Sequence, residues 1–136
     1  MYEFFEHTAD LGLRVRAVTL ETLFCEAAEC LFSAIVDDVA TIQPTDIVRI
    51  TIDGTDREYL LFDWLNELLR HSEAEEMLFR TFTVAFTGIG LEATATGEPL
   101  DRSRHPLSRE VKAITYHELK VVPDGGGWLA EVIVDI

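Results

Sequence analysis

The chain has 136 residues, 48% hydrophobic and 26% charged, enough for one globular domain that buries about two-thirds of its unfolded surface without disulfide or metal staples. Its 25 acidic against 11 basic residues leave a formal charge of −14. Such a surface repels phosphate backbones, which argues against broad nucleic-acid binding, and suits a basic protein partner or metal cations.

Two short strands are expected first. Tyr2 to Glu6 is aromatic-rich, and Leu11 to Ala17 alternates apolar and polar residues, with His7-Thr8-Ala9-Asp10 as a polar loop or bulge between them. Leu20, Leu23, Phe24, Ala27, Ala28, Leu31, Phe32 and Ile35 recur at helical spacing, with Thr19 placed to cap the N-terminus. Ile47 to Asp53 alternates as a strand. A second helix is predicted after Thr55, whose Thr-x-x-Glu relation to Glu58 reads as a capping box, and it runs to about His71.

The second half reads as two hairpins. Leu78 to Thr87 and Leu91 to Leu100 flank Gly88-Ile89-Gly90; Ala113 to Val122 and Trp128 to Ile136 flank Pro123 to Gly127. Asp101 to Arg109 is a polar loop between them. The order ββαβα then ββββ predicts an α+β domain, two helices packed on a mixed or antiparallel sheet, over residues 1–136. Cys25 and Cys30 lie on different faces of the first helix and form no CxxC. They read as reduced core thiols, which with the absence of a signal peptide or an apolar run of membrane-spanning length gives a cytoplasmic expectation. Oligomeric state is left open.

No Gly-rich phosphate loop, GxSxG or HExxH is present. His7, His71, His105 and His117 lack zinc-ligand spacing and each reads as a surface or hydrogen-bonding residue. Three features carry chemistry. Asp10 interrupts two strands, where turn-forming competes with metal binding. Asp135 stands beside the terminal carboxylate of Ile136, and two anions so close repel unless a cation or base intervenes. Lys112, one of only two lysines, opens a strand as an edge charge or as a contact to an anionic ligand or partner. Oxygen donors without a thiol select a hard cation, calcium or magnesium with manganese as an alternative.

These stretches, Glu6 to Asp10, Glu110-Val111-Lys112-Ala113-Ile114-Thr115-Tyr116-His117 and Val134-Asp135-Ile136, together with Leu60 to Leu69, resemble the archease family over essentially the full chain. The resemblance implies an accessory factor, not an enzyme, that assists an RtcB-type RNA ligase in tRNA splicing by promoting its guanylylation and multiple turnover and widening its nucleotide use. It also implies a metal site of Asp10, Asp135 and Ile136, with calcium as the first candidate and magnesium or manganese as alternatives. Lys112 would be a contact to partner or nucleotide. Ile136 is expected to face inward beside Val134 and Val132, and a chain that stops on its ligand would explain the apolar ending. Two other readings are a stand-alone metal-dependent phosphoester hydrolase and a general chaperone-like modulator of nucleic-acid-modifying enzymes.

Overall fold

The computed structural model describes residues Met1–Ile136. The N-terminal stretch forms a tight hairpin: β1 (Tyr2–His7) and β2 (Asp10–Ala17) pair antiparallel from Tyr2↔Val15 to His7↔Asp10, leaving Thr8 and Ala9 as the turn. Ala9 takes a left-handed φ of 64°, a conformation that costs a residue with a Cβ about 1–2 kcal/mol. The expected loop is therefore two residues long, and both His7 and Asp10 belong to the ladder.

Helix α1 (Leu20–Ile35) follows, with the Thr19 side chain accepting from the Thr22 N–H at 3.1 Å as expected. Its buried stripe, Leu23, Phe24, Ala27, Leu31 and Phe32, packs against both sheets. After a short 3-10 turn at Val39–Thr41 comes β3 (Asp46–Asp53), then α2 (Arg57–Ala74). The cap of α2 differs from the predicted box. Asp56, one residue after Thr55, accepts from the Tyr59 N–H at 3.1 Å, because a carboxylate caps at least as well as a hydroxyl. Glu58 is thereby freed, and its Oε1 accepts from the Val121 N–H at 3.3 Å, tying α2 to a strand edge.

β4 (Met77–Phe86) and β5 (Gly90–Pro99) form the first expected hairpin and join β3 in a three-stranded antiparallel sheet of order β3-β5-β4. The second hairpin is broken. β6 covers only Ala113–Ile114, β7 is Lys120–Asp124 and β8 is Gly127–Asp135. β6 and β7 occupy successive stretches of the same edge of β8. Ile114 faces Val134 and Lys120 faces Glu131, so the five residues Thr115–Leu119 stand opposite only Val132 and Ile133 and must loop out. The other edge of β8 pairs with β2 from Ala17↔Trp128 to Asp10↔Asp135, completing a five-stranded antiparallel sheet.

The α+β class with antiparallel pairing is as predicted, the strands being shared between two sheets rather than one. A contiguous cluster of 32 buried residues lies between sheets and helices. At its centre Trp64 is fully buried and its Nε1–H donates to the Phe24 carbonyl at 3.0 Å, satisfying the one polar atom of the indole. Cys30 is buried and Cys25 half-buried, both free; burial pushes their thiols up to about 12 and about 11. No helix is long and apolar enough to cross a membrane.

Asp101–Arg109 is a loop, as expected, but a tightly held one. His105, read from sequence as one of four scattered histidines, is fully buried. The Asp101 N–H donates to its Nδ1 at 2.9 Å, so the ring proton sits on Nε2, which donates to Glu98 Oε2 at 2.9 Å. Backbone bonds from Asp37 to Pro106, Ser108 to Ile35 and Arg109 to Ala34 then clamp the end of the loop to the end of α1. The clamp fixes the path of the chain into Lys112 and β6.

Candidate metal centre at the sheet edge

The register of three strands gathers the predicted site. Asp10 opens β2 and Asp135 closes β8, and the two are direct cross-strand partners. Side chains of such a pair have Cβ atoms about 5 Å apart, and like charges there oppose strand pairing. On the far side of β8, Ala113 pairs with Asp135 and the Lys112 N–H donates to the Asp135 carbonyl at 2.8 Å. The octapeptide from Glu110 is thus stitched by its backbone to the strand that carries Asp135. The Lys112 side chain points to solvent, whereas Lys120 is tied to Glu131 at 3.1 Å.

Ile136 departs from the expectation. It lies just past the last paired residue and is 40% exposed, so it is no inward neighbour of the buried Val132 and Val134. With the ladder ended at Asp135, nothing turns the next side chain into the core. The terminal carboxylate of Ile136 still follows Asp135 directly in the chain.

A second group of side chains reaches the same edge. His7, the last residue of β1, faces Asp10 across the hairpin, with its Nδ1 3.6 Å from Asp10 Oδ2, longer than a hydrogen bond. That nitrogen is buried and has no hydrogen-bond partner. His7 Nε2 stands 3.6 Å from Glu118 Oε2, and His117 Nε2 stands 3.7 Å from Glu118 Oε1. The two imidazoles meet edge to face with centroids 5.2 Å apart. His117 is the middle residue of the excursion between β6 and β7 and Glu118 follows it, with a left-handed φ of 52°. The excursion is anchored by Tyr116, whose ring stacks on Phe62 of α2 at 3.8 Å, and by Thr115, whose hydroxyl donates to the Ile133 carbonyl at 2.9 Å.

Sequence spacing did not show that His7 and His117 meet, because 109 positions separate them along the chain and β8 joins them only through pairing on both its edges. Their sole trace is positional: one histidine sits inside the Glu6-to-Asp10 stretch and the other ends the octapeptide. The residues present fit a divalent cation on two counts. Paired carboxylates at Asp10 and Asp135 supply hard oxygen donors whose repulsion a cation relieves, and the unpartnered His7 nitrogen marks incomplete local bonding.

Fold and edge together define a small α+β domain whose distinctive chemistry is a carboxylate and imidazole cluster where two hairpins converge on β8. The chain belongs to the archease family: the model of the Archease protein family (MTH1598/TM1083) matches residues 2–136. It is 42% identical to the protein archease of Methanopyrus kandleri over 139 residues, covering 99% of both chains. It also resembles the solution structure of Methanobacterium thermoautotrophicum protein 1598, with a TM-score of 0.87, 34% identity and coverage of 99% and 98% of the two chains. A Thermotoga maritima crystal structure described as an archease, possible chaperone, shares the fold alone, at TM-score 0.67 and 22% identity, over 100% and 98% of the chains.

Proposed function

We propose that the chain is an accessory factor for an RtcB-type RNA ligase, promoting guanylylation and repeated turnover of that enzyme in tRNA splicing. Asp10, Asp135 and Ile136 would hold a divalent cation, calcium first and magnesium or manganese as alternatives. When bound, the ion supplies a fixed positive charge at an otherwise anionic edge. The pairing of Asp10 with Asp135 carries this reading, since two carboxylates opposed across adjacent strands need a counter-charge. Around that centre, Lys112 presents a free ammonium to a nucleotide phosphate or an acidic patch, and the −14 surface complements a ligase that grips RNA with basic groups.

The accessory role suits the site better than stand-alone phosphoester hydrolysis. Asp10 and Asp135 lie on an open strand end, and the largest cavity, about 510 Å³ beside α1, α2 and residues 102–111, has neither aspartate in its walls. An enzyme needs walls to orient substrate and exclude water, and here a partner would provide them.

The test is a ligation time course with limiting ligase, GTP and metal. The parent chain is expected to convert a single round into many. Asp10→Ala and Asp135→Ala should abolish the stimulation and Lys112→Ala should weaken it, with far-UV spectra unchanged. Folded aspartate variants that still accelerate guanylylation, or product formed from phosphodiester substrate with no ligase present, would overturn the assignment.

A further inference from the structure

We propose a second cation site, for a borderline transition ion such as zinc, made by His7 Nε2, His117 Nε2 and the Glu118 carboxylate, next to Asp10 and distinct from the oxygen-donor pair. Each of the three residues places a ligand atom within 4.8 Å of those of the other two. Tetrahedral zinc with bonds near 2.0–2.1 Å separates its ligand atoms by about 3.4 Å. His7 Nε2 lies 3.6 Å from Glu118 Oε2 and His117 Nε2 lies 3.7 Å from Glu118 Oε1, too long for hydrogen bonds and near that edge length. The contacts go one to each carboxylate oxygen, so the exposed carboxylate would pivot to present a single oxygen to the ion. The third edge closes by rotation of the His117 side chain, which is 61% exposed and free to turn.

The surroundings match what a metal-bound imidazole requires. A ligating histidine gives its other ring N–H to a carboxylate, which fixes the tautomer and raises the basicity of the ligating nitrogen. His7 presents its Nδ1 to Asp10 Oδ2 at 3.6 Å, and that nitrogen is buried and otherwise unpartnered. A small closure of the His7 ring onto Asp10 completes both the hydrogen bond and the metal-facing geometry of Nε2. The other two ligands sit on a short turn that is not free to drift, because Tyr116 is stacked on Phe62 and flanked edge-on by Tyr59. Ligand type separates the two sites: imidazole nitrogens favour zinc, cobalt or nickel, whereas the all-oxygen pair favours calcium or magnesium. Three protein ligands leave a fourth tetrahedral position, on the exposed side of Glu118, for water or for a donor from a partner. Asp10 touches both sites, so an ion in one alters the charge that the other sees.

The experiment titrates the full chain with Co²⁺, read by the intense ligand-field absorption of tetrahedral cobalt, and displaces it with Zn²⁺; Ca²⁺ binding is followed separately by calorimetry. The parent is expected to take up one equivalent of cobalt with tetrahedral bands that zinc abolishes. His117→Ala and Glu118→Gln should each weaken cobalt and zinc by at least about tenfold, the lower end of what even an outer-shell change costs, and leave calcium affinity unaltered. Asp135→Asn should do the reverse. Both loop variants lie outside the strand ladders, so their folds are secure. No saturable cobalt uptake, or cobalt binding that survives His117→Ala and Glu118→Gln but is lost in Asp135→Asn, would overturn the proposal without touching the ligase reading.

Discussion

Two carboxylates opposed across a strand pair make a prediction of sign. In chelator, Asp10→Asn should raise stability relative to the parent by about 0.5–1 kcal/mol, because it removes a like-charge pair. Millimolar calcium should reverse the order, since an ion bound to the folded state stabilises only the chain that keeps its ligands. Thermal unfolding of both proteins with and without calcium decides it, and a variant less stable than the parent in both conditions would contradict the opposed-charge account. Glu98 behaves differently. The Arg104 guanidinium, then the Gln43 N–H and His105 Nε2–H, hold its carboxyl down at about 2, against an ordinary 4.5. A carboxyl depressed in the folded state adds stability fully present above its unfolded value and lost as pH falls through the folded one. The deficit of Glu98→Gln should therefore be constant above about pH 5, shrink between 4.5 and 2, and vanish below; urea titrations at stepped pH would measure it. Residue patterns alone carried Asp10, Asp135 and Lys112 as separate oddities, and only the family resemblance joined the two aspartates into one expected site. It could not carry the meaning of Glu98 or His105, because burial that follows from a loop folding back leaves no local pattern.

At the scale of elements, legibility followed local periodicity. Both helices and the β4–β5 hairpin were predicted within a few residues, since amphipathic repeats and glycine turns are written locally. The excursion at Thr115–Leu119 was not, because it contains no glycine, proline or asparagine, and its left-handed position is filled by Glu118. A register constraint that only β8 imposes splits what reads as one strand. The cap of α2 slipped by a residue for a milder reason: Thr55 and Asp56 are both competent caps, and tertiary fit of Glu58 to Val121 favours the second. The bulge in β4 between Phe79 and Thr81 brings the neighbouring backbone so close to Gly97 that a Cβ there would lie 1.8 Å from the Leu78 carbonyl oxygen. Backbone cannot swing aside as a side chain can. Gly97→Ala should cost at least about 2 kcal/mol, within the range of overpacking, measured as a lower urea midpoint at unchanged slope. A cost below about 0.5 kcal/mol would mean the two strands separate more easily than the ladder suggests.

For the whole molecule the decisive quantity is the charge of −14. Many of the few basic side chains are already committed, Arg104 to the buried Glu98 and, on the surface, Arg14 to Glu3 and Glu131, Arg16 to Asp124, Arg70 to Glu67, Arg104 to Asp101 and Lys120 to Glu131. Exposed pairs contribute roughly 0–1 kcal/mol each, while the surplus carboxylates repel over the full surface. Added salt weakens both, but at 0.1 M the screening length is about 10 Å, so repulsion across the molecule is lost before contacts at 3 Å are. Stability should then rise with sodium chloride between about 0.01 and 0.3 M, by several degrees in Tm if 1–2 kcal/mol is recovered. The same field should act with opposite sign on encounter with a basic partner, whose attraction salt screens away. Unfolding temperature and the association rate with the proposed ligase partner, measured across one salt series, should move in opposite directions. A Tm that falls with salt would show that the ion pairs outweigh the repulsion, and an association rate indifferent to salt would leave the acidity without a role in finding the partner.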